Sequence, residues 1–175
     1  MSALVLGIGN VILQDEGIGI RAVEELERRY RFPDEVQILD GGTSGIELLR
    51  FFDDVDHLII IDAVSAGHPP GSVLRVEGEE VPATFETRIT PHQLGLSDLL
   101  ATARLSDQMP GYLVLFGVEP KTIESGVGFT PEVEGAVDKL VGSVVEELRR
   151  LGYTVEECVG PKPSSSRFWP DPPTD

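Results

Sequence analysis

Cysteine is almost missing from this chain: Cys158 is the only one in 175 residues. A single thiol excludes an internal disulfide, a disulfide-scaffolded fold and a Cys-rich zinc site, and a reducing cytoplasm is the expected setting. Basic residues are scarce as well, with 14 Lys and Arg against 30 Asp and Glu for a formal net charge of -16. That field repels phosphate backbones and anionic lipid, so neither nucleic acid nor a membrane surface is an expected partner. A cationic protein segment or a metal cation suits it better. Long hydrophobic runs are absent too, and none approaches the roughly 20 residues that cross a bilayer. Residues 3–8 are apolar, but no basic region precedes them, and Asp15 and Glu16 follow too soon for a signal peptide.

What is present is enough to build one domain, with 41% hydrophobic and 25% charged residues. Residues 1–159 are expected to form a single α/β domain, and residues 160–175 a Pro/Ser-rich tail. Such a tail buries too little to order itself, and a mobile end is the plainer expectation. The adjacent aromatics Phe168 and Trp169 are the part of it that could dock on the body or a partner. No heptad seam points to an obligate coiled coil.

Apolar strands alternate with amphipathic helices, which predicts an α/β sheet with helices on both faces. Residues 3–8 read as a buried strand. Ile18, Ala22, Val23, Leu26 and Tyr30 mark one helix face, with Glu24–Arg28 and Glu25–Arg29 as i,i+4 pairs on the other. A second strand over 36–39 runs into Asp40-Gly41-Gly42-Thr43 and a short helix around 46–52. Residues 58–61 are continuously apolar, as expected of a central strand, and stop at Asp62. The shorter, half-polar segment 71–76 follows a Pro-Pro-Gly turn with no crossover helix, so it predicts an antiparallel edge strand. Thr90-Pro91 and Thr130-Pro131 each supply an N-cap and a first-turn proline. The first helix carries Leu96, Leu99, Leu100 and Ala103 inward. The second carries a long stripe from Val133 to Leu151, closed by Gly152. Residues 112–117 form the fifth strand.

In open α/β sheets ligands gather at the carboxyl ends of the strands. That rule selects Asn10, Asp15 and Glu16 after strand one, Asp40 after strand two and Asp62 after strand three. His92 occupies a helix first turn, where the positive end of the dipole favours the neutral imidazole that binds metal. Glu16, Asp62 and His92 would make an open set of two carboxylates and one imidazole, suited to Ni, Zn, Mn or Fe. Each has a plainer alternative: Asp62 as an N-cap, Glu16 as a first-turn carboxylate, His92 as a helix-end hydrogen-bonding group, and Asp40 as a turn former. His57 and His68 carry no assigned role. Gly7-Ile8-Gly9-Asn10 opens a dinucleotide fingerprint, but the third glycine is replaced by Ile12, and acidic Asp15 and Glu16 stand where a pyrophosphate needs bare amides.

Four segments in this order resemble the hydrogenase maturation protease family: residues 7–10 with Asp15-Glu16-Gly17-Ile18-Gly19, then residues 40–43, Asp62-Ala63 and Pro91-His92-Gln93-Leu94-Gly95. Residues 116–120 match the family's late strand and turn, and the resemblance spans about residues 3–152. It implies a three-layer α/β/α sandwich with a five-stranded, mostly parallel sheet in the order 2-1-3-5-4, strand 4 being antiparallel. It also implies an endopeptidase that removes the C-terminal extension of a nickel-containing hydrogenase large-subunit precursor. Metal contacts are expected at Glu16, Asp62 and His92, with nickel supplied by the precursor itself. Glu16, Asp62 and Asp40 are the candidate catalytic acids, Asp40 in a supporting or substrate-contacting role. A noncatalytic metal-sensing or hydrogenase-binding protein is the alternative, and a nucleotide-dependent α/β enzyme a third.

Overall fold

A computed structural model describes residues 1–86 and 91–160, the side chains of Glu86, Pro91 and His92 excepted. The tail with Phe168 and Trp169, and the cap at Thr90, lie outside the described residues. Five strands form the central sheet: β1 (Ala3–Ile8), β2 (Val36–Gly42), β3 (His57–Ala63), β4 (Val73–Glu77) and β5 (Tyr112–Val118). Their spatial order is β2-β1-β3-β5-β4. All neighbours run parallel except β4, which pairs antiparallel with β5 at the sheet edge. The expected order and the antiparallel edge are both observed.

Alternation along the strands divides the core into two layers, because successive side chains point to opposite faces. Val5, Ile59, Ile61 and Phe116 face α1 (Ile18–Arg29), α4 (Pro131–Glu134) and α5 (Val137–Arg150). Leu4, Leu6, Ile8, Leu58, Ile60 and Leu115 face α2 (Glu80–Glu86), α3 (Pro91–Leu105) and a 3-10 turn over Ile46–Phe51. The inward stripe of α3 is as expected, with Leu96, Leu99, Leu100 and Ala103 all buried. Each such side chain stabilises the fold by roughly 1.5–3 kcal/mol, somewhat less for alanine.

Several boundaries differ from the sequence reading. Strand β3 continues through Asp62 and Ala63, which pair with Gly117 and Val118. Helix α1 ends at Arg29, and Tyr30–Arg31 instead pairs antiparallel with Glu156–Glu157 in a small ribbon. The helix expected from Thr130 breaks at Gly135 and Ala136 into α4 and α5. Helix α2 went unpredicted, its seven residues being too short for a clear period. The polar face of α1 is not simply solvated. Glu25 is buried beneath Arg28 and Arg29, and although burial opposes its charge, their hydrogen bonds and charges hold its carboxyl below the usual range.

Candidate active site

The site is built by glycines that let backbones touch. A Cβ on Gly19 would lie 2.2 Å from the carbonyl oxygen of Ile8 and 2.4 Å from that of Ile61. The first turn of α1 therefore rests directly on the carboxyl ends of β1 and β3. A Cβ on Gly7 would in turn meet the Gly19 carbonyl at 2.4 Å. One step further, a Cβ on Gly9 would stand 2.1 Å from the carbonyl oxygen of Glu16. The loop after β1 is thus folded back through a 3-10 turn, Gln14–Gly17, that seats Glu16 over the strand end. Asp62 follows Ile61 on the neighbouring strand, and Ile61 is in register with Gly7. Both acids are buried, at 2% and 0% exposure. Glu16 from the turn after β1 and Asp62 from β3 are brought to one sheet edge, with Asp62 Oδ1 accepting the Ala63 amide at 2.8 Å.

Asp15, singled out beside Glu16 by the sequence, does different work. Its Oδ2 accepts the amides of Lys121 at 2.9 Å and Thr122 at 3.2 Å and the Thr130 hydroxyl at 2.8 Å; its Oδ1 accepts the Thr130 amide at 2.8 Å. The buried carboxylate is saturated, and it clamps the loop after β5 onto the loop after β1. A backbone bridge between Leu13 and Gly126 runs beside the clamp. Thr130 does precede the first turn of α4, but its hydroxyl serves Asp15 and makes no cap bond.

Asp40 ends up exposed at the same edge, in register with Gly7, its Oδ1 accepting the Gly42 amide at 2.9 Å. That is the bond of a turn former. Helix α3 reaches the edge from the opposite side. Gly95 in its second turn packs against Gly45, whose Cβ would approach the Gly95 Cα to 3.1 Å. By its backbone His92 sits in the first turn of α3, and its side chain lies outside the described residues. Among the described residues no three His, Cys, Asp or Glu side chains are gathered around one point. His57 belongs to the other end of the sheet, its Nδ1 2.6 Å from the Tyr153 hydroxyl.

Residues 20–147 match the family model described as hydrogenase maturation protease. Hydrogenase 2 maturation protease of Escherichia coli K12 is 49% identical over 153 residues, covering 87% of this chain and 93% of that protein. The solved structure of the E. coli hydrogenase maturating endopeptidase HybD superposes with a TM-score of 0.86 at 46% identity, over 90% of this chain and 98% of that one. A [NiFe] hydrogenase maturation protease HybD from Thermococcus kodakarensis gives 0.69 at 28% identity, over 85% and 99%. The chain belongs to the hydrogenase maturation protease family.

As a peptidase of this family, the protein uses its glycine loop differently from a nucleotide-binding enzyme. Gly9 admits the carbonyl of Glu16, so the space where a fingerprint loop would receive a pyrophosphate is filled by the protease's own backbone. Sequence reasoning missed two buried acids in supporting roles. Asp15 is marked in the sequence only by its place after strand one and beside Glu16. Glu119 is buried and accepts the Ala66 amide at 2.7 Å, tying the loop after β3 to the end of β5. The available signal was an acid followed by proline in Glu119-Pro120, directly after a central strand.

Proposed function

We propose that this protease removes the C-terminal extension of a nickel-containing hydrogenase large-subunit precursor once nickel is in place. The supporting observation is the pair of buried carboxylates, Glu16 and Asp62, held by backbone contacts at the carboxyl edge beside the start of α3. In this reading nickel arrives as part of the substrate, and Glu16, Asp62 and His92 contact it from the protease side. Divalent metal supplies carbonyl polarisation and a more acidic water. Glu16 or Asp62 takes the proton of the water that attacks the scissile carbonyl. The proton is returned to the departing amine as the C–N bond breaks. Asp40, exposed nearby, contacts the substrate backbone or side chains. Cys158 as the sole thiol fits a cytoplasmic protein.

The test is the intact mass of a large-subunit precursor incubated with the protease, with and without nickel. Loss of the extension only in the nickel-loaded sample is the expected result, and an unchanged mass there would sink the proposal. Complex formation without mass loss would favour the noncatalytic hydrogenase-binding reading. Glu16→Gln, Asp62→Asn and His92→Ala should each slow cleavage by about 10²–10⁴-fold, and full activity in all three is incompatible with the assigned site.

A further inference from the structure

Exposed large apolar side chains are sharply segregated among the described residues. Among the described residues eight large hydrophobics are exposed, and five of them (Ile12, Ile46, Leu94, Ile123 and Val127) stand in the loops and helix start at the carboxyl edge of the sheet. The other three, Met1, Leu105 and Val159, belong to the opposite edge, where strands begin and α3 ends. Isolated apolar side chains on a surface need no explanation, but their collection on one functional face does.

Two separate devices hold the five in place. On one side the Asp15 clamp and the backbone bond from the Gly126 amide to the Ile12 carbonyl, 2.9 Å, bring Ile12 beside the loop bearing Ile123 and Val127. On the other, the Gly45–Gly95 contact places Ile46 and Leu94, the next residue and the preceding one, on touching backbones. The first group borders β5 and the second follows β2. In the order β2-β1-β3-β5 these strands are three places apart; of the two between, β3 carries Asp62 and β1 leads into the 3-10 turn that carries Glu16. Three strand spacings are about 14 Å, a span that about four or five extended residues cross.

The charges on this edge say what crosses it. Asp40, Glu47, Asp98 and Glu124 are exposed there, Asp98 one turn beyond Leu94 on the same helix face. Lys121, the cation on the loop after β5, is bound to Glu132 at 2.6 Å. We propose that the two apolar groups are the grips for one extended precursor segment, apolar and net cationic, which lies across Glu16 and Asp62 with its scissile bond between them. This docking surface rests on the precursor-processing reading and adds its recognition residues.

Binding and cleavage are measured separately, so the two ideas fail separately. Affinity for the nickel-loaded precursor is read by calorimetry or interferometry, and cleavage by intact mass. Ile12→Ser with Val127→Ser, and independently Ile46→Ser with Leu94→Ser, should each raise Kd about ten-fold, and Glu124→Lys should weaken binding further at low salt than at high salt. Leu105→Ser with Val159→Ser, at the far edge, should change nothing. All sites are exposed, and a melting temperature within a few degrees of wild type verifies each fold. Rim-dependent binding without mass loss would keep the docking surface and remove the protease reading. Unchanged Kd in both rim pairs, or an equal effect from the far-edge pair, overturns the docking surface whatever the cleavage result. So would rim variants that alter only the sedimentation mass of the free protein, which would make the rim a self-association face.

Discussion

At the scale of single residues the site depends on where a side chain is absent as much as on where an acid is present. Gly9 has no Cβ because the Glu16 carbonyl occupies that place, 2.1 Å away. Gly9→Ala must push Glu16 off the strand end, and a displacement near 1 Å should lower precursor cleavage by about 100-fold. Steady-state cleavage compared with far-ultraviolet circular dichroism checks this, since a retained fold with retained activity would contradict the role given to Gly9. Asp15 gives a contrasting expectation. Asparagine would turn an NH2 toward amides that now donate to an oxygen, leaving buried donors unmet. Asp15→Asn should therefore cost about 3 kcal/mol in urea unfolding, whereas Glu16→Gln should cost cleavage and little stability. The adjacent pair Asp15-Glu16 was legible as a place of interest. Which acid was structural was not, because the partners of Asp15 lie more than a hundred residues away at Lys121, Thr122 and Thr130.

Elements are secured by charge as well as by apolar burial. Glu147 on α5 is buried at the outer edge of the sheet. Burial works against its ionised form, but hydrogen bonds from Arg75 on β4, Tyr112 on β5 and Arg150 outweigh that and hold its pKa at about 2. A carboxyl with a folded pKa below its unfolded 4.5 adds stability that is complete above the unfolded value and lost as pH falls toward about 2. Because Arg150 and Arg75 are open to solvent, the contribution is about 1–2 kcal/mol. Unfolding free energies measured from pH 6 down to pH 3 should fall more steeply for wild type than for Glu147→Gln, and parallel curves would refute the coupling. Periodicity revealed the apolar stripe of α5, and the missing crossover helix the edge position of β4. It could not reveal that Arg75 and Glu147, 72 residues apart, would meet across them.

For the molecule as a whole, the filled glycine loop predicts indifference to nucleotides. NAD, FAD or ATP binding at 100 times Kd would add about 2.7 kcal/mol of stability, so a melting temperature unmoved by millimolar nucleotide is expected, and a concentration-dependent rise would reopen that reading. The buried central strand and the antiparallel edge strand were legible because a doubly covered sheet demands continuous apolar strands and a strand without a crossover helix cannot enter parallel, whereas the strand order came from the resemblance to the family. The small ribbon between Tyr30–Arg31 and Glu156–Glu157 was not, since two-residue strands carry no period. By itself the sequence determined the layers, the strand directions and the edge to which Glu16, Asp40 and Asp62 are delivered, because these follow from local period and glycine placement. Only the tertiary structure decided which acid became a clamp and which were buried at the strand ends, because those fates depend on segments distant in the chain, whereas the turn bond of Asp40 to Gly42 is local and was open to the sequence.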